Sequence, residues 1–163
     1  MNNKNKTLIS WSIALLIIIV GGISVYNNSS EKITSNSYLT SKEENRTFIE
    51  HSNQKYTKNA TSFDFKGFTG KWSLIEFESN KDNKIVLEDN TKIEKGKFYI
   101  VVLDSDYKNI AMHESKEGEN LEFTTPKDGK YLVRIVGKDA SGKFDIKINA
   151  NNDISVSHRD FWE

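Results

Sequence analysis

From residue 62 onward, apolar and polar residues alternate one by one, and a period of two confines that region to β-strands with one dry and one wet face. Phe144, Ile146 and Ile148 alternate with Asp145, Lys147 and Asn149, and Leu121 and Phe123 with Glu122 and Thr124. Ile85 and Leu87, then Thr91 and Ile93, keep one phase along another segment. Residues 98–103 (FYIVVL) and 131–136 (YLVRIV) are apolar on both faces apart from Arg134, which predicts two central strands. Gly67 and Gly70 interrupt the aromatic stretch 63–72, and the apolar phase slips between Leu74 and Ile75. Bulges or a strand break are expected there.

Turn chemistry separates these runs: Asn80 to Asn83, Lys95-Gly96, Asp104-Ser105-Asp106, Glu117-Gly118, Asp128-Gly129 and Ser141-Gly142. Strands at such intervals, about seven to nine in all, predict an all-β fold, an antiparallel β-sandwich spanning 62–150. The single proline, Pro126, falls between two strands, where its missing N–H harms no ladder. A chain of 163 residues has room for one such domain and little more.

Ahead of this region, residues 8–26, opening at Leu8 and closing at Tyr26, carry no charge. As a helix they would span roughly 28 Å, close to the hydrocarbon thickness of a bilayer. Lys4 and Lys6 precede the run and no basic residue follows before Lys32, so the charge bias leaves the N-terminus in the cytoplasm. The reading is a single-pass signal-anchor helix after a cytoplasmic segment 1–7, with the rest of the chain extracellular. Its rival is a cleaved signal peptide, with Gly22 and Ser24 at the small-residue positions, which would leave the domain secreted. Residues 27–61 are rich in Asn, Ser, Thr, Lys and Glu and read as a polar spacer, with a short element around 46–51 able to dock on the domain. Residues 151–163 form a tail ending in Asp160-Phe161-Trp162-Glu163, aromatic and matched to no obvious strand.

With Lys4 and Lys6 set aside, 21 basic residues remain against 23 acidic ones, a net of −2 that is no nucleic-acid footprint. The chain contains no cysteine, which excludes disulfides, thiolate metal sites and thiol catalysis.

Residues 120–148 resemble the bacterial pre-peptidase C-terminal domain. The resemblance is carried by Leu121-Glu122-Phe123, by the run from Pro126 through Gly129, Tyr131 and Gly137, and by Ser141-Gly142-Lys143-Phe144 through Ile148. It implies a small jelly-roll-like antiparallel sandwich ending in a hairpin, with one strand on each side of residues 137–142. Upstream, residues 100–106 look like that family's strand followed by an Asp-rich turn.

Asp104 and Asp106, helped by Asn109, would offer carboxylates to calcium, but Asn109 and Ser115 stand where a helix–loop–helix calcium loop needs glycine and glutamate, so a solvated turn is expected. His51, His113 and His158 show no metal-ligand spacing. Glu76 with Glu78 and Glu88 with Asp89 would have to converge to act as a glycosidase pair; on a strand, alternating carboxylates line the wet face. Phe68, Trp72, Tyr99 and Tyr107 are the candidates for an aromatic platform that binds sugar or peptide, set against core packing, the default for aromatics at strand spacing. The expected function is a membrane-tethered extracellular binding or accessory module, non-enzymatic and without cofactor, for a protein, peptide or cell-envelope partner. The alternative is a cell-surface carbohydrate-binding module, and an unrecognised hydrolase ranks below both.

Overall fold

A computed structural model describes residues 32–159. These include a short helix, α1 (Asn36–Thr40), and nine strands: β1 (Arg46–Thr47), β2 (Glu50–Tyr56), β3 (Ala60–Ser79), β4 (Lys84–Asp89), β5 (Lys92–Asp104), β6 (Asn109–Glu114), β7 (Leu121–Thr124), β8 (Gly129–Ala150) and β9 (Ser155–His158). Every pairing is antiparallel, and all nine strands join one hydrogen-bonded network.

The spine is β3 against β8, paired from Ala60↔Lys147 to Ser79↔Gly129. At one end of this ribbon β9 flanks β3, and β5 flanks β8 and carries β6. At the other end β2 flanks β3, and β4 flanks β8 and carries β7. The two ends face each other, because Tyr131, Val133 and Ile135 from one part of β8 share a core with Phe144, Ile146 and Ile148 from the other. Phe98 of β5 stacks on Phe65 at 5.1 Å and lies 6.0 Å from Phe144, joining the two layers. The expected central strands are both central: β5 lies between β6 and β8, and β8 between β3 and β5.

The bend explains where turn reading misleads. Lys95-Gly96 and Ser141-Gly142 do not end strands; they lie inside β5 and β8. The hairpin that the pre-peptidase resemblance implies is therefore absent, and one 22-residue strand stands in its place. Glycine signals a turn and a bend alike, and here β8 keeps its partners β3 and β5 through the bend. At Gly142 the backbones press together: a Cβ would fall 2.0 Å from the Lys92 carbonyl oxygen. The slips expected around residues 67–75 are present as register shifts at Phe65/Phe68, Phe68/Gly70 and Ser73/Ile75.

Where the sequence reads as a polar spacer, residues 36–56 carry α1, β1 and β2. Composition hides this because a few apolar residues suffice: Leu39 is buried in a second apolar cluster on the outer face of β5 and β8, and Phe48 packs on the main core. In the tail, residues 155–158 are β9, paired with β3 from Ile75↔His158 to Glu78↔Ser155. The anchor reading of residues 8–26 and the terminal residues 160–163 lie outside the described residues. Among the described residues no helix is long and apolar enough to cross a membrane.

Candidate functional site

The four candidate aromatics separate. Phe68 and Trp72 are fully buried in the main core, Phe68 against Phe48 at 4.7 Å and Trp72 beneath the Arg46 guanidinium at 4.7 Å. Their alternation on β3 points them inward, so they form no platform for a ligand. Tyr99 and Tyr107 are half-buried and pack against the second cluster on the outer face.

Asp104 and Asp106 are engaged within the protein. Asp104 Oδ1 accepts from the amides of Asp106 and Lys108, both at 2.9 Å, and Oδ2 lies 3.0 Å from Lys127 Nζ. Lys127 also pairs with Asp106. Burial pushes the Asp104 carboxyl up, yet the Lys108 and Asp106 amides and Lys127 outweigh it and hold it below its ordinary value. Among the described residues no group of three His, Asp or Glu side chains is arranged to hold a metal ion.

The histidines sit on three separate strands. His51 packs between Phe48 and Phe63, where burial and then the Arg46 charge push its pKa down. His158 meets Thr61 Oγ1 at 2.7 Å, tying β9 to β3. His113 Nε2 lies 3.1 Å from Asp89 Oδ2, the same oxygen that accepts from Ser115 Oγ at 2.6 Å. Serine and histidine thus both meet the carboxylate and not each other, so this trio does not activate a serine nucleophile. Glu88 accepts from Asn149 at 2.6 Å while Asp89 is buried on the other face of β4, and Glu76 pairs with Lys130 at 2.8 Å. Glu88 and Asp89 therefore do not converge, and Glu76 is engaged by Lys130.

What the fold does assemble lies on the outer face of β3, β8 and β5, covered by a strap of residues 36–44. Ser35 precedes the strap, and its Oγ accepts from the Tyr38 amide at 3.4 Å as the N-cap of α1. Leu39 enters the apolar patch of Val101, Leu103 and Val136. The open C-terminal carbonyls of α1 then meet two cations from the sheet. Arg134 Nη1 donates to Leu39 O at 2.5 Å and Ser41 O at 2.9 Å, and Lys71 Nζ to Tyr38 O at 2.7 Å. This satisfies carbonyls that a helix end leaves without partners and opposes the helix dipole. Ser41 Oγ accepts from the Glu43 amide at 3.2 Å, turning the chain so that Glu44 reaches back. Glu44 accepts from Arg134 Nη2 (3.2 Å), the Ser73 amide (3.1 Å) and Arg159 Nη1 (3.2 Å).

Arg134 is 0% exposed and also donates from Nε to Ser73 Oγ at 2.9 Å. Burial lowers the pKa of both Arg134 and Lys71, and in each case the Glu44 carboxylate works against the shift. Tyr107 stands in the left-handed region at φ 62°, its ring 5.4 Å from the Arg134 guanidinium and 5.6 Å from Lys42 Nζ. Between strap and sheet a cleft of about 890 Å³ opens, lined by Ile33, Tyr38, Glu43, Thr69, Lys71 and Lys138 among others. A smaller one of about 360 Å³ lies among Asn36, Thr40, Asp106, Tyr107, Lys108 and Asn109. The sequence signal for this site was the lone charge of Arg134 in an apolar strand; its partners in the strap carried none.

No protein-family model matches the chain, and no curated protein matches it. Among solved structures it is similar to procruciferin, an 11S globulin from Brassica napus (11% identity, 61% of this chain and 22% of that chain, TM-score 0.33). It is similar to a family 35 carbohydrate binding module from an environmental isolate (12% identity, 72% and 86%, TM-score 0.37). A third is an active-site mutant of a family two carbohydrate esterase from Clostridium thermocellum (7% identity, 70% and 33%, TM-score 0.35). The chain spans about a fifth of the length of procruciferin and a third of that of the esterase. At that level of likeness no ligand or activity carries across to this chain.

Proposed function

We propose that this chain is a non-catalytic binding module, a sandwich-type domain held at the outer side of a membrane by residues 8–26, and that its ligand binds at the strap-covered face of β3, β5 and β8. The observation that supports this reading is the cleft of about 890 Å³ beside Tyr38, Lys71 and Lys138. It is wide enough for a small ligand or a peptide side-chain cluster and combines a ring, cations, carboxylates and hydroxyls in one wall. A protein, peptide or cell-envelope ligand fits that chemistry. A carbohydrate is the alternative, favoured by the half-buried Tyr38 ring with Thr69 and Glu43 near it, a combination that suits a sugar ring and its hydroxyls.

The test uses the full chain in lipid nanodiscs, probed by NMR with cell-wall glycan fragments and with a peptide library. Ligand-dependent shifts clustered at Tyr38, Thr69 and Lys138, and lost in Tyr38→Ala, are expected. Turnover of any glycan or ester probe, or shifts confined to the opposite layer, would overturn the reading.

A further inference from the structure

The strap that covers the outer face is built like a ligand. Of residues 32–45 Leu39 alone is buried, and open clefts lie on both sides of α1. A helix of five residues does not hold its own shape in water, so its conformation is imposed by the face on which it lies. That face reads a short set of features in the strap. It takes the buried Leu39 side chain, with Ile33 and Tyr38 packed beside it and Lys71 over the Tyr38 ring, three main-chain carbonyls at Tyr38, Leu39 and Ser41, and one carboxylate at Glu44. Any chain presenting the same set in the same order would make the same contacts.

The face also needs an occupant. Without the strap, Val101, Leu103 and Val136 would be open to water around a guanidinium and an ammonium that now lie buried among them. The Ser73 amide, whose neighbourhood in β3 carries a register shift, would lose the Glu44 carboxylate that accepts its hydrogen bond. Exchange of the strap for an equivalent segment restores all of these contacts, whereas simple opening restores none.

We propose that this face is a peptide-binding site which residues 36–44 fill in cis, and that a short helical turn of a partner protein, with the pattern leucine-x-serine-x-x-glutamate, displaces the strap and binds there in trans. The pattern follows from the strap itself: Leu39 fills the apolar patch, Ser41 turns the chain, and Glu44 bridges Arg134 and Arg159. This deepens the binding-module reading and rests on it, naming the ligand as a peptide and the strap as its resident competitor.

The experiment uses the full chain in nanodiscs and a fluorescent peptide of residues 32–46 as the probe, read by anisotropy. Leu39→Asp releases the strap from the apolar patch, and removing an internal competitor raises apparent affinity in proportion to the fraction of sites set free. The peptide is expected to bind Leu39→Asp at least about tenfold more tightly than the wild-type chain. A peptide carrying Leu39→Asp or Glu44→Gln should bind neither. Absence of binding to a Leu39→Asp chain whose β3–β8 amides remain protected would overturn the proposal. Should that variant lose its core protection, hydrogen exchange on the wild-type chain decides. Amides of Leu39 and Lys71, bonded to Ser35 O and Asn45 O, are expected to exchange faster than those of β5 and β8. Exchange of the strap and the core at one common rate would overturn it. Glycan shifts at Tyr38 without any peptide binding would end this proposal and leave the binding module standing; binding of neither probe would end both.

Discussion

Two buried charges organise the domain at the scale of single residues. Arg134 bridges β8, β3 and the strap through Ser73, Leu39, Ser41 and Glu44. Its removal leaves a carboxylate and two carbonyls facing an apolar patch, so Arg134→Ala should lower stability by about 3–5 kcal/mol in urea unfolding of the full chain. Arg134→Lys keeps the charge but has no planar fork to reach all four partners, and an intermediate loss is expected. Asp89 plays the same part for the loop after β6. Burial pushes its carboxyl up, but the contacts from His113, Ser115 and Thr91 prevail and hold it below the ordinary range. A carboxylate that binds its proton less readily folded than unfolded adds stability above about pH 4, and that stability is lost as pH falls through the lower folded value. Asp104 adds a contribution of the same sign. Thermal midpoints followed from about pH 6 to pH 2 should therefore fall less steeply in Asp89→Asn than in the wild-type chain. Superimposable acid limbs would show that Asp89 has no such role.

At the scale of elements, the molecule depends on β3 and β8 bending without breaking. Gly142 lies where β8 meets β5 most closely, with φ 155° and the Lys92 carbonyl where a methyl would stand. Gly118 has φ 79° but open space around it. Circular dichroism melts should separate the two effects: Gly118→Ala costs about 1 kcal/mol from backbone conformation alone. Gly142→Ala should cost about 3 kcal/mol, because β5 must also move away from β8. Equal losses would mean that the close approach contributes nothing. The central strands β5 and β8 were legible because residues 98–103 and 131–136 are apolar on both faces, which only a strand with partners and cover on each side requires. The continuity of β8 was not legible, because Ser141-Gly142 reads as a turn until its hydrogen bonds to β3 and β5 are seen. Of the candidate site, Arg134 stood out as a charge in an apolar strand. Leu39 and Glu44 did not, since nothing local marks one leucine and one glutamate in a polar segment as partners of a residue about 90 positions away.

For the whole molecule, the proposed topology has a direct test, because the chain has no native cysteine. A single Lys116→Cys, at an exposed loop position, should react with a membrane-impermeant maleimide on intact cells. Labelled protein in the membrane fraction fits the signal anchor, and labelled protein in the medium fits cleavage after Ser24; labelling only after lysis would refute export. Periodicity and composition, which are local, are enough for the all-β class, the two central strands, the bulges near Gly67 and Gly70 and the uncharged run at residues 8–26. Tertiary structure alone decided that β8 is one bent strand and that a polar stretch folds back as a strap over Arg134. Those outcomes turn on which distant residues share a face, and a one-dimensional pattern of polarity holds no record of that.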